Sequence, residues 1–131
     1  MPDGKKILII DDDPMTLRVL TTLLSAENDL RIANSAPQAM NLMIDFIPQV
    51  ILLDIEMPGM TGFEFLHTIR KNPKFMSVPV VIVSSHSEPE FSDHADRMGA
   101  SCLVAKPIEK EDLLQKITFA IQHPKKNIWE I

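Results

Sequence analysis

Val50-Ile51-Leu52-Leu53-Asp54 is a run of four apolar residues that ends abruptly in a carboxylate. A strand with one wet face alternates apolar and polar residues, whereas an unbroken apolar run reads as a strand buried on both faces, as in a parallel sheet covered by helices. The same design recurs in Ile7–Ile10 before Asp11-Asp12, in Val80–Val83 before Ser84, and in Cys102–Ala105 before Lys106. Working outward, strands are expected near 7–10, 30–34, 49–53, 79–84 and 101–105. Segments of helical period lie between and after them, near 14–26, 36–46, 63–71, 88–98 and 109–122. The alternation predicts an α/β fold with a parallel sheet.

Local signals support these helices. Leu17, Leu20, Leu23 and Leu24 mark one side of the first, and Pro14 suits a first turn, where its missing N–H needs no partner. Ser35 before Ala36-Pro37 is an N-terminal signal for the second, with Met40, Met43 and Ile44 as its expected buried face. Leu113, Leu114, Ile117 and Ile121 stripe the last.

With 131 residues and 45% hydrophobic content the chain is sized for one domain with a real core, over 1–123, followed by a tail or the start of a linker over 124–131. A formal net charge of −5 argues against direct nucleic acid binding by this domain, which would need a basic face. The longest apolar runs are four residues, far short of the ~20 needed to span a membrane. The N-terminus does not read as a secretory signal, and Cys102 is the single cysteine, which excludes an intrachain disulfide and a cysteine zinc cage. A reducing cytoplasm is the expected compartment.

In a parallel sheet every strand ends at the same edge. Asp11, Asp12, Asp54, Ser84 and Lys106 therefore share one crevice, where ligands of open α/β sheets bind. Carboxylates brought together there repel by about 4 kcal/mol per pair at 4 Å and an effective dielectric near 20, so the cluster calls for a counter-cation or raised pKa values. Oxygen-only ligands select a hard divalent ion, and Mg²⁺ with phosphate oxygens fits that description. Lys106 and Ser84 could hold the remaining phosphoryl oxygens, leaving a carboxylate as nucleophile for an acyl phosphate.

These residues resemble the receiver domains of bacterial two-component response regulators. The resemblance covers nearly all of residues 6–122. It rests on Ile9-Ile10-Asp11-Asp12, on Leu52-Leu53-Asp54 with Met57-Pro58-Gly59-Met60-Thr61-Gly62, on Val78-Pro79 through Ser84-Ser85, and on Gly99-Ala100 leading into Ala105-Lys106-Pro107. It implies a doubly wound, flavodoxin-like (βα)5 fold with strand order 2-1-3-4-5. It further implies that Asp54 is the phosphoacceptor and that Asp11, Asp12 and Asp54 hold Mg²⁺ with the backbone carbonyl of Glu56. Ser84 would sense the phosphoryl group, Lys106 would pair with it, and Pro107 would follow a cis peptide. The implied donor is a sensor histidine kinase or a phosphotransfer domain. Autodephosphorylation would make the chain a switch rather than a stand-alone turnover enzyme. The fourth helix, fifth strand and fifth helix would face an output domain, a target protein or a second copy on phosphorylation, with no membrane involved.

Asp13 is read as a helix cap, and Gly59 and Gly62 as turn residues needing permissive φ. Two positions depart from the pattern or tune it. Leu103 stands where the family commonly has an aromatic ring that swings inward with the sensing hydroxyl. His86, two residues past Ser84, stands where access of water to the phosphoryl group is modulated. His67, His94 and His123 lack metal spacing, and the eight methionines read as core filler or loop residues. Two alternatives remain at this stage. A small haloacid-dehalogenase-type phosphatase would use Asp11 as nucleophile, but Met15 breaks its pattern. An electron carrier of the flavodoxin type would need a phosphate loop that the residues after Ile10 do not supply.

Overall fold

The computed structural model describes residues 4–57 and 59–124. Strands and helices alternate throughout: β1 (Lys6–Ile10), α1 (Pro14–Leu24), β2 (Asp29–Ala33), α2 (Ala36–Leu42), β3 (Val50–Leu53), α3 (Gly62–Arg70), β4 (Val80–Ser84), α4 (Pro89–Arg97), β5 (Cys102–Ala105) and α5 (Lys110–Gln122). All five strands are parallel, in the order β2-β1-β3-β4-β5. The chain thus winds away from β1 in both directions, and the switch point opens a crevice beyond the C-termini of β1 and β3.

Because successive side chains of a strand point to opposite faces, the unbroken apolar runs feed two cores at once. Leu8, Ile10, Ile51, Leu53, Val80 and Ile82 pack with Ala36 and Ala39 of α2, Phe65, Leu66 and Ile69 of α3, and Ala95 of α4. Ile7, Ile9, Val50, Leu52, Val81, Val83 and Val104 pack on the other face with Leu20 and Leu24 of α1 and Leu113, Ile117 and Ala120 of α5. β2 closes one edge of the sheet with Asp29, Arg31 and Ile32 exposed. There Arg31 pairs with Asp29 and covers the Phe46 ring at 4.7 Å.

Three helix starts are set by short polar side chains that accept otherwise unpaired N–H groups. Asp13 accepts from Met15 N–H and from the Thr16 hydroxyl, and Ser35 accepts from Gln38 N–H. Thr61 and Glu64 form a reciprocal capping box, so α3 begins at Gly62, one residue before its expected start. The T-x-x-E spacing was available in the sequence as a sign of it.

α2 is shorter than its apolar pattern suggests. After Leu42 the N–H groups of Ile44 and Asp45 bond the carbonyls of Asn41 and Leu42, three residues back, so the i−4 ladder is lost. Met43 stays buried, Ile44 swings out to 66% exposure, and Phe46 takes a buried place instead. Among the described residues no helix is long and apolar enough to cross a membrane. The tail beyond Pro124, with Trp129, lies outside the described residues.

Candidate functional site: an acidic crevice at the strand ends

Strand register builds the site. Ile10 of β1 pairs with Leu53 of β3, so Asp11 and Asp54 emerge side by side, one residue beyond the paired positions. Two backbone bonds carry the ladder past the strand ends and fix both residues: Asp54 N–H to the Ile10 carbonyl at 2.9 Å and Asp11 N–H to the Ala33 carbonyl at 3.1 Å. With exposed Asp12, they bring one carboxylate oxygen each to within 4.8 Å of one another.

Two of the three carboxylates are buried, and the cluster is under-neutralised. Asp11 is 1% exposed and Asp54 7%. Asp11 Oδ1 accepts from Asp13 N–H at 2.8 Å, while the buried Oδ2 has no hydrogen-bond partner. The Lys106 ammonium lies 3.9 Å from that Oδ2, within ion-pair reach but too far for a hydrogen bond. Asp54 Oδ1 accepts from Glu56 N–H at 3.2 Å. Burial, reinforced by the neighbouring Asp11 charge and only partly offset by the Glu56 N–H and Lys106, pushes the Asp54 carboxyl up to about 6. Burial also raises Asp11, against the opposing Asp13 N–H and Lys106. One ammonium against three carboxylates, all-oxygen donors and an orphaned buried oxygen fit a hard divalent cation at this spot.

The other strand ends complete the crevice. Ser84 is buried at the end of β4, and its Oγ accepts from His86 N–H at 3.0 Å. Its carbonyl accepts from Lys106 N–H at 2.9 Å, and the Lys106–Pro107 peptide is cis. Glu56 Oε1 lies 2.5 Å from His86 Nε2, and Glu88 Oε1 lies 3.7 Å from His86 Nδ1. The bond to Glu56 raises the His86 pKa, and the Glu56 and Glu88 charges add to it. His86 thus has specific partners, and the Glu56 side chain has a contact that sequence reading missed, because neither residue's neighbour across the crevice is encoded locally.

Asp13 is the α1 cap and stands outside the acidic group. Gly59 has the left-handed φ of +78° expected of a turn glycine. Gly62 corrects the expectation made for it: its φ is ordinary, and its role is close approach. A Cβ there would lie 2.5 Å from the Asp54 carbonyl oxygen and 2.6 Å from Ile55 Cα. The missing side chain lets the start of α3 rest directly on the loop that carries Asp54. Leu103 is half-buried against the α2–α3–α4 core. Among the described residues no histidine joins a metal-binding group; His94 packs on Phe63 and His123 on Phe119.

The model of the response regulator receiver domain family matches residues 7–118. The chain belongs to this family. The receiver domain is 31% identical over 113 residues to the protein PilH of Pseudomonas aeruginosa, covering 86% of this chain and 93% of that one. It is 32% identical over 118 residues to the regulatory protein AtoC of Escherichia coli, covering 89% of this chain and 25% of AtoC. The chemotaxis protein CheY4 of Vibrio cholerae superposes with a TM-score of 0.83 at 25% identity, over 89% of this receiver and 98% of that chain. The receiver therefore spans nearly all of some relatives and about a quarter of others. It is a module of two-component signalling, and nothing in fold or comparison supports the haloacid-dehalogenase alternative.

Proposed function

We propose that Asp54 is the phosphoacceptor of this receiver and that phosphorylation there switches its output face. The observation that carries the reading is the Asp11–Asp12–Asp54 cluster with the Lys106 ammonium at its inner edge. Asp54 is its only member from β3, and its Oδ1 is held by Glu56 N–H, which leaves Oδ2 to attack.

The donor is a phosphohistidine on a sensor histidine kinase or a phosphotransfer domain. An Asp54 oxygen attacks phosphorus, the P–O bond forms as the P–N bond breaks, and the departing imidazole keeps the electron pair and takes up a proton. Lys106 neutralises charge on one phosphoryl oxygen, and the Ser84 hydroxyl rotates away from His86 N–H to donate to another. A Mg²⁺ held by Asp11, Asp12, Asp54 and the Glu56 carbonyl would supply Lewis-acid charge to the phosphoryl oxygens. In the reverse half of the cycle water attacks phosphorus, the P–O bond breaks, and the carboxylate returns with inorganic phosphate. His86, held to Glu56 at the mouth, restrains that water. The signal leaves through α4, β5 and α5, with repacking at Leu103 in place of an aromatic swing, toward an output domain, a target protein or a second copy. The compartment is the cytoplasm.

The test is incubation with Mg²⁺ and a small acyl phosphate, followed by mass spectrometric mapping. One phosphoryl group is expected on Asp54, lost in Asp54→Asn and in chelator. An acyl phosphate mapped to Asp11 would overturn the reading.

A further inference from the structure

Beside the repacking at Leu103 on β5, the structure offers a second path from Ser84 to the output face, on the other side of α4. His86 donates its N–H to Ser84 Oγ, and its ring lies 5.6 Å from the ring of Phe91 on α4. Phe91 in turn lies 5.8 Å from Phe63 on α3, and Phe63 also meets His94, one turn along α4, at 4.6 Å in an edge-to-face contact. The platform ring, Phe63, directly follows Gly62, the residue packed on the Asp54 carbonyl. Two routes thus run from the crevice to the same face of α4: one through Ser84 and His86, the other through Gly62 and Phe63.

α4 is built to respond. Its N-cap, Glu88, makes no side-chain capping bond, and Ala95 is its one fully buried residue. A cavity of about 110 Å³ lies between α4 and β5, lined by Ala95, Ala100, Ser101 and Leu103 among others. A helix with one buried residue, held on one side by tilted and edge-to-face ring contacts and flanked on the other by a small cavity, has somewhere to go when its ring contacts shift.

We infer that the His86–Phe91–Phe63 ring contacts are the lever that carries phosphorylation from Ser84 to α4, an inference that rests on Asp54 being the phosphoacceptor. When Ser84 Oγ leaves His86 N–H for the phosphoryl group, the 84–88 loop is released, the His86 ring moves against Phe91, and α4 slides over the Phe63 platform toward the cavity. Phe91 and Phe63 act as positioning residues and touch no reacting atom.

The test compares amide NMR spectra of the protein before and after phosphorylation by a small acyl phosphate with Mg²⁺, with Asp54 occupancy measured by intact mass in the same samples. In wild type, shifts are expected throughout residues 88–98. In Phe91→Ala at equal occupancy those shifts fall by about two-fold or more, and Phe91→Tyr, which keeps a ring, restores them. Phe63→Leu, which keeps apolar volume and removes the ring, serves as a second variant and gives the same loss. Undiminished α4 shifts in both ring-less variants at full occupancy would overturn the lever while leaving Asp54 phosphorylation intact. Absence of phosphate on wild-type Asp54 would instead remove the reading beneath it.

Discussion

α3 and α4 are each nine residues long and flank the same crevice, yet they are secured in opposite ways. α3 opens with a capping box and buries Gly62, Phe65, Leu66, Ile69 and Arg70. Its last residue is bolted to the loops around it: the buried Arg70 guanidinium donates to the carbonyl of Gly99, just past the end of α4, from two nitrogens at 3.1 and 2.9 Å, and to the Met76 carbonyl at 3.3 Å. Burial draws its pKa down to about 10, well above physiological pH, so it stays charged. α4 has no side-chain cap bond and buries Ala95 alone. The contrast teaches a division of labour: one helix is the frame against which the Asp54 loop is fixed, and the other is held by fewer buried contacts.

The strongest way to break the contrast is to dislodge the frame. Gly62→Ala places a Cβ against backbone atoms of Asp54 and Ile55 that cannot step aside singly. The better helix propensity of Ala, about 1 kcal/mol, is outweighed, and a net loss of about 2–3 kcal/mol in urea unfolding is expected, with slower phosphorylation of Asp54. An unchanged unfolding midpoint would mean that α3 does not rest on the loop as described.

The next effect lies in the crevice between the helices. The Asp54 carboxyl sits at about 6 in the folded protein and at its ordinary 3.8 when unfolded, so the folded state binds its proton more tightly. Its contribution to stability is therefore fully present below about pH 4 and lost as pH rises through about 6. Asp54→Asn removes that cost. In chelator its stability advantage should grow from none below about pH 4 to about 3 kcal/mol well above pH 6. Adding Mg²⁺ should narrow the gap by stabilising wild type selectively. Thermal melts across pH check both statements, and a pH-independent difference would locate the strain elsewhere.

Two smaller changes sharpen the comparison from opposite ends. Thr61→Ala removes half of the capping box and should cost about 1 kcal/mol, read as a lower denaturation midpoint. Glu88→Ser offers α4 the cap it lacks and should slow amide exchange in residues 89–97 by an amount worth about 0.5 kcal/mol. Faster exchange in α4 after Glu88→Ser would show that its existing contact with His86, not the missing cap, holds the helix start.

Much of this design is written in one dimension. Unbroken apolar runs that end in Asp11, Asp54, Ser84 and Lys106 announce buried parallel strands and a polar edge, because burial on two faces and a shared strand direction leave no other arrangement. Asp13 and Ser35 could be read as caps, since a cap acts within three residues of itself. What could not be read depends on approach in space. Gly62 looks like any turn glycine until the Asp54 carbonyl is seen against it. Ile44 fits the helical stripe of α2, but the helix stops before reaching it. Arg70 and His86 have partners 29 and 30 residues away, and nothing in their own neighbourhoods points to them.

The pairing of Ile10 with Leu53 also couples the packing of the core to the geometry of the crevice. Slipping β3 by one residue against β1 would turn its four apolar side chains to the wrong layers and carry Asp54 away from Asp11. A chain in that state would still present apolar residues to both layers, with mismatched side-chain volumes, and would lose the Asp11–Asp12–Asp54 crevice. Core packing and assembly of the acidic cluster are thus set by one and the same register.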